Sequence, residues 1–349
     1  MKTLVVSARS HDRQILEAHK CGRHELQFTE VALNEETALV AQGYPAVCGF
    51  VNDTFDARAL EILARGGTRF VTLRSTGFNN VDLQAAARLG ITVARVSEYS
   101  PHSVAEFVVG LLLTLNRKLH KAYLRGREDY FLLDGLLGFD LHGKTIGIVG
   151  TGKIGQVLAR IMAGFGCRLL GYDIHENDQC RELGMTYVGM DELLEQSDVV
   201  SLHAPLMPQT HHLIDARAME LMKPGAILIN TSRGALVDTK ALIGALKAGH
   251  LAGAGLDVYE EEGGIFFRDL SAHGVSDDVF ARLRTFPNVI VTGHQGFFTR
   301  EALNDIAAAT IANLDDFDAA RHGANTLTPA PQSAEPHLLD RDKSAAAAA

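Results

Sequence analysis

Two periodicities alternate along this chain. Short β-rich apolar runs at residues 4–8, 47–51, 70–73 and 91–95 are separated by segments at 12–20, 57–65 and 83–89 with helical patterning. Strand-length runs alternating with helices predict a parallel sheet covered on both faces. A second series begins at 145–149 and continues with strands at 168–172, 199–202, 226–230, 253–257 and 289–292. Between the two series lies the longest helical pattern, from Pro101 to about Arg127. There Val104, Phe107, Val108, Leu111, Leu112, Leu115 and Leu119 recur at spacings of three and four and make one wide apolar face. Pro101 suits the first turn of that helix.

The pattern implies two doubly wound parallel-sheet (Rossmann-like) α/β domains with an active-site cleft between them. A final helical stretch at 300–320 follows the last strand and is expected to return to the first domain. The first, substrate-binding domain is then discontinuous, 1–100 plus 299–335, and encloses a nucleotide-binding domain at 101–298. The Pro- and Ala-rich end, 336–349, reads as a disordered tail. The long helix joins the domains, and its apolar face looks too broad for one side of a monomer. A homodimer or homotetramer is expected, two-fold dimers being the commonest soluble assembly.

Composition narrows the partners. A chain of 349 residues can hold two substantial cores. Its net charge of -9 argues against nucleic acid, whose phosphates it would repel. Local Arg and Lys can still reverse the field, so an anionic substrate stays open. The longest strongly apolar stretch, 107–115, falls far short of the ~20 residues that span a bilayer. No signal-peptide pattern follows the first residues, so a cytoplasmic protein with no membrane partner is expected. Cys21, Cys48, Cys167 and Cys180 show neither CxxC nor metal-ligand spacing, and read as small hydrophobes in a reducing compartment.

The strand at 145–149 runs into Gly150-Thr151-Gly152-Lys153-Ile154-Gly155. In G-x-G-x-x-G the first glycine permits the tight turn, the second lets backbone approach a pyrophosphate, and the third lets helix and strand pack closely. A helix starting at Ile154 would point unpaired amides at the phosphates. Asp173 ends the next strand, about 20 residues on, where a carboxylate accepts hydrogen bonds from the adenosine ribose. A 2′-phosphate would meet its charge with no arginine in the following residues, so NAD is expected over NADP.

Three further residues stand at or beyond strand ends. Arg233 follows the strand at 226–230; its planar guanidinium suits a carboxylate and a neighbouring carbonyl oxygen. His294 follows the strand at 289–292 and can exchange a proton near neutrality. The run Glu260-Glu261-Glu262 offers a carboxylate, but residue chemistry alone does not choose among the three. Read singly, His203, His211 and His212 are polar loop residues; the last two are adjacent rather than at helical ligand spacing, so no metal site is expected.

LRSTGFNNVDL (73–83), VSEYSPHSVAE (96–106), GKTIGIVGTGKIG (143–155), INTSRGALVD (229–238), GLDVYEEE (255–262) and VTGHQGFFT (291–299) resemble the D-2-hydroxyacid dehydrogenase family, and within it the fermentative D-lactate dehydrogenases. The likeness covers nearly the whole chain apart from the tail. It implies reversible hydride transfer between NADH and pyruvate giving D-lactate, with other 2-oxo acids or a non-enzymatic NAD-sensing corepressor as alternatives. It selects Glu262 as partner of His294, the acid/base, with Arg233 binding and polarising the 2-oxo acid. Thr76 and Gly77, in the loop opened by Ser75, would bind the substrate carboxylate, and Tyr99 and Phe297 would line the pocket. The cofactor set becomes Gly150, Gly152, Lys153, Ile154, Gly155, Asp173, His203, Pro205, Thr231 and Asp257.

Overall fold

The alternation of strand and helix is realised as two separate parallel sheets. The computed structural model describes residues 1–329; the expected tail and residues 330–335 lie outside the described residues. Among the described residues the chain divides into two compact units, one made of Met1–Ser97 with residues 306–329, the other of Glu98–Asp305.

In the first unit the strands β1 (Lys2–Val5), β2 (Glu25–Phe28), β3 (Ala46–Gly49), β4 (Phe70–Leu73) and β5 (Thr92–Ala94) lie in the order β2-β1-β3-β4-β5, all parallel. Helices α1 (Ser10–His19), α2 (Ala57–Arg65) and α3 (Leu83–Arg88) connect them. Side chains alternate across a strand, so Leu4 and Val6 enter one core layer and Val5 the other. The first layer is closed by Leu60 and Leu63 of α2. The second is closed by Ala307, Ile311 and Leu314 of the C-terminal helix, Arg300–Asp318. That is why the units divide inside this helix: its apolar contacts with the first sheet begin at Ala307. Asn313 adds a hydrogen bond from Nδ2 to the Arg95 carbonyl (2.9 Å).

The second unit carries β6 (Thr145–Val149), β7 (Arg168–Tyr172), β8 (Thr186–Tyr187), β9 (Val199–Leu202), β10 (Ile227–Asn230), β11 (Gly253–Leu256) and β12 (Val289–Val291). Their order is β12-β11-β10-β9-β6-β7-β8, again all parallel. The chain moves outward from β6 in one direction and from β9 in the other, so the switch point lies between them. Ligands of open α/β sheets bind at the carboxyl ends of strands beside such a point. Its helices are α4 (Pro101–Asn116), α5 (Leu119–Gly126), α6 (Lys153–Gly164), α7 (Asp178–Glu182), α8 (Met190–Gln196), α9 (Ala216–Leu221), α10 (Thr239–Lys247) and α11 (Asp278–Arg284).

Two expectations are corrected. The helix from Pro101 does not run to Arg127; it ends at Asn116, and Lys118 takes a left-handed conformation (φ 54°) before α5 begins. Asn116 exchanges two side-chain hydrogen bonds with the Phe139 backbone (2.7 and 2.9 Å), which pins the helix end. The apolar face of α4, with Ala105, Val108, Leu111, Leu112 and Leu115, is buried inside the second unit rather than left for a partner. Strands β2 and β8 also lay outside the predicted set. Both are edge strands, and in β2 only Leu26 is buried, so neither presents the apolar run that marks an inner strand. Among the described residues no helix is long and apolar enough to cross a membrane.

Candidate active site

The turn after β6 has the shape the glycines require. Gly150 has φ 94°, and a methyl group there would lie 2.7 Å from the Ala204 amide nitrogen and the His203 carbonyl carbon. At Gly155 a methyl carbon would meet the Gly150 carbonyl oxygen at 2.1 Å, so only glycine lets α6 start this close to the strand. At Gly152, by contrast, nothing lies within 4 Å of the added carbon. The space a dinucleotide pyrophosphate needs is therefore open, in front of the first amides of α6. Lys153, in the first turn of α6, is ion-paired with Glu98, and Ile154 packs against the core of the unit.

Asp173 stands just past β7 and faces this turn. Its carboxylate accepts the Thr151 amide (2.6 Å) and the His175 amide (3.1 Å), so it braces the glycine loop. Tyr187 donates to the Thr151 hydroxyl (2.8 Å), and Asn177 donates to the Thr151 carbonyl (3.0 Å). Thr231 is buried, and among the described residues its hydroxyl has no hydrogen-bond partner. A buried orphan hydroxyl calls for an external partner, which fits a ligand at the carboxyl end of β10. His203 sits after β9 with Nε2 2.8 Å from the Ser201 hydroxyl; its enclosure pushes the ring down to about 4, so it is neutral near pH 7. Pro205 is exposed in the same loop.

Arg233, Glu262 and His294 follow three neighbouring strands, β10, β11 and β12, so their loops emerge side by side along one sheet edge. The Arg233 turn is shaped by Asn230, which donates to the Arg233 carbonyl (2.8 Å) and accepts the Ser232 amide (3.0 Å). At Gly234 a methyl carbon would fall 2.0 Å from the Tyr259 carbonyl carbon, so this turn lies directly on the acidic loop.

In that loop the three glutamates separate. Glu262 Oε1 lies 2.9 Å from His294 Nδ1, with side chains only 25% and 16% exposed. Glu260 instead meets His212 Nε2 at 2.5 Å and accepts the Thr239 hydroxyl at 2.9 Å, and Glu261 is exposed. A carboxylate only accepts, so Nδ1 of His294 carries the proton of that bond.

Asp257, expected among the cofactor residues, is 1% exposed. Its carboxylate takes the Thr292 hydroxyl (2.6 Å) and the amides of Gln295 (2.9 Å) and Gly296 (2.7 Å), while its carbonyl takes the His294 amide (2.7 Å). Burial pushes this carboxyl up, and the three donors oppose the shift. The structure thus gives Asp257 the work of holding the His294 loop, in which His294 is left-handed at φ 53°. Tyr99 and Phe297 approach edge to face with ring centroids 6.4 Å apart. Burial raises the Tyr99 hydroxyl, and the Arg233 charge opposes that rise.

In the first unit, Ser75 closes its loop by donating to the Gly77 carbonyl (2.8 Å), and Arg95 donates to the Thr76 carbonyl (2.8 Å). Among the described residues the amides of Thr76 and Gly77 donate to no backbone acceptor.

Sequence reasoning missed the work of His212, Thr239 and Gly234, and the bracing of Thr151 by Tyr187 and Asn177. Their partners lie far apart in sequence, and no local spacing announces them. His211 and His212 are adjacent in sequence, a spacing that by itself suggests no metal site. The fold adds Glu260, and ligand atoms of the three residues lie within 4.8 Å of one another.

Residues 109–296 match the family model described as D-isomer specific 2-hydroxyacid dehydrogenase, NAD binding domain. The chain is 50% identical over 319 residues to 2-hydroxyacid dehydrogenase homolog 1 of Schizosaccharomyces pombe, covering 91% of this chain and 96% of that protein. It is 46% identical to the D-lactate dehydrogenase of Escherichia coli, covering 94% and 100%. Its fold is similar to the solved pyruvate reductase of Chlamydomonas reinhardtii, with TM-score 0.88 and 42% identity over 93% of this chain and 98% of that one. The protein belongs to the D-isomer-specific 2-hydroxyacid dehydrogenase family and is an NAD-dependent oxidoreductase.

Proposed function

We propose that the protein reduces pyruvate to D-lactate with NADH and runs the reverse oxidation with NAD. The observation that carries this reading is the Glu262–His294 pair at 2.9 Å, half-buried in the loops after β11 and β12, with β11 the neighbour of the strand β10 that leads to Arg233. Bound NADH supplies the hydride that reaches the keto carbon. Arg233 grips the carboxylate and keto oxygen of the 2-oxo acid and offsets the negative charge developing on that oxygen. His294 donates a proton from Nε2 to the oxygen, and Glu262 stabilises the charged ring through Nδ1. In the oxidative direction the neutral ring takes the proton back. Tyr99 and Phe297 bound the space around a small substrate.

The likeness to proteins named for D-lactate and pyruvate supports this substrate. A non-enzymatic NAD sensor would have no use for a paired acid/base group. NADH consumption measured with pyruvate, glyoxylate, hydroxypyruvate and branched 2-oxo acids tests the reading, with chiral analysis of the product. Pyruvate should give the highest kcat/KM and D-lactate the product; preference for another acid, or L-lactate, overturns it.

The same reading includes a homodimer or homotetramer in the cytoplasm. The surface suited to assembly is α5 and the segment after it, where Tyr123, Leu124, Phe131, Leu133 and Leu137 are all exposed, the last two at 81% and 90%. So many exposed apolar side chains in one segment mark an interaction surface. Light scattering should give at least a dimer for the wild type and a monomer for a Leu133→Asp, Leu137→Asp variant; a wild-type monomer at micromolar concentration refutes it. The free thiols of Cys21, Cys48, Cys167 and Cys180 suit a reducing compartment.

A further inference from the structure

Three metal-ligating side chains meet beside the loop that carries Glu262. Ligand atoms of His211, His212 and Glu260 lie within 4.8 Å of one another. Neighbouring residues in a helix or strand point apart, yet these two imidazoles stack with centroids 4.0 Å apart at 30°. The cause is the backbone: His212 is left-handed (φ 52°), a costly conformation for a side chain with a Cβ. The turn is held there because the amides of His212 and Ile214 donate to the carbonyls of Ala235 (2.8 Å) and Leu236 (2.9 Å). Opposite them, Glu260 reaches His212 with Oε1. Its Oε2 takes the Thr239 hydroxyl (2.9 Å) and amide (3.3 Å) at the start of α10. A carboxylate oriented by a hydroxyl on its far oxygen is how metal-binding carboxylates are held.

We propose that His211, His212 and Glu260 bind one divalent transition-metal ion of the zinc class, which ties the Tyr259–Glu262 loop to the turn after β9. Two imidazoles and one carboxylate, with a fourth position open to water, are a zinc-type donor set. Magnesium and calcium prefer oxygen cages and are excluded by it. Donors about 2.0–2.2 Å from a tetrahedral ion stand roughly 3–3.5 Å apart. His211 is exposed and free to turn inward, and His212 and Glu260 open slightly as the ion replaces the hydrogen bond between them.

Untagged protein stripped with a chelator and titrated with Zn²⁺ by calorimetry should take up one equivalent per chain and no Mg²⁺. Co²⁺ should give the intense visible bands of a four-coordinate site. Hydrogen exchange of amides 259–262 should slow when Zn²⁺ is bound. His211→Gln should keep pyruvate reduction and thermal stability while losing stoichiometric Zn²⁺ uptake, and Thr239→Val should weaken uptake by about 10–100-fold. Absence of a stoichiometric uptake, or uptake unchanged in both His211→Gln and Glu260→Gln, overturns the proposal.

Discussion

Glu262→Gln isolates the charge of the acid/base pair from its geometry. Glutamine keeps the chain length and leaves an oxygen to accept from His294 Nδ1 at the 2.9 Å separation seen for the carboxylate. What it removes is the negative charge that favours the protonated ring. Hydrogen bonds involving a charged partner contribute about 1.5–3 kcal/mol, against about 1 for a neutral pair. With both side chains at most one-quarter exposed, solvent screening removes only part of this. A loss of about 1–2 kcal/mol converts, at about 1.4 kcal/mol per factor of ten, to a fall of roughly 10-fold in kcat/KM. Reduction and oxidation share one transition state, so both directions should fall together. The assay is kcat/KM for pyruvate reduction and D-lactate oxidation in wild type, Glu262→Gln and Glu260→Gln. Glu260 is engaged with His212 and Thr239, so its variant should keep near wild-type kinetics. Unchanged kinetics in Glu262→Gln, or an equal loss from Glu260→Gln, would refute the assignment.

Other consequences can be checked separately. Arg233→Lys should raise KM for pyruvate and lower kcat about 100-fold, because an ammonium cannot reproduce the fork; near wild-type kinetics removes Arg233 from the site. Asp173→Ser should raise the NADPH/NADH ratio of kcat/KM and lower Tm, since the Thr151 amide loses its acceptor; an unchanged ratio shows that Asp173 does not contact the ribose. His203 is held down to about 4 from an ordinary value near 6.5, so the stability linked to its neutral form is present above about 6.5 and lost as pH falls toward 4. Because the ring keeps some solvent contact, about 3 kcal/mol is an upper limit. His203→Gln should narrow the gap in urea midpoint between pH 7.5 and 5, and an unchanged gap counts against it.

Much of the architecture is legible in the sequence because its causes are local. Strands buried on both faces need apolar runs, and the turn after β6 needs glycine where Gly150 and Gly155 meet backbone at under 3 Å. The break at Lys118 is not legible, because it depends on Asn116 finding Phe139 across a loop. Nor could residue chemistry divide the three glutamates, whose partners are His212, solvent and His294. The burial of Asp257 also depends on where β12 lands. A carboxylate at a strand end reads equally well as a ligand contact or as an internal anchor. Only the positions of Thr292, Gln295 and Gly296 reveal the anchor.

That anchor bears on how the pair is held. His294 occupies a left-handed backbone conformation that an unconstrained histidine would leave. It persists because its own amide and the donors of three neighbouring residues all end on Asp257. Burying a carboxylate is costly, and here the cost is offset only while every donor stays in place. The arrangement is therefore close to all-or-none: a small displacement of the loop strands a buried charge and releases the strained residue together. On the other side, Gly234 leaves no room between the Arg233 turn and Tyr259. Glu262 is two bonded steps of the same loop away from Glu260, which is fixed to Thr239. Rigid elements on both flanks thus set the separation of cation, carboxylate and imidazole, as a site needs when its groups must meet one small substrate to within a fraction of an ångström.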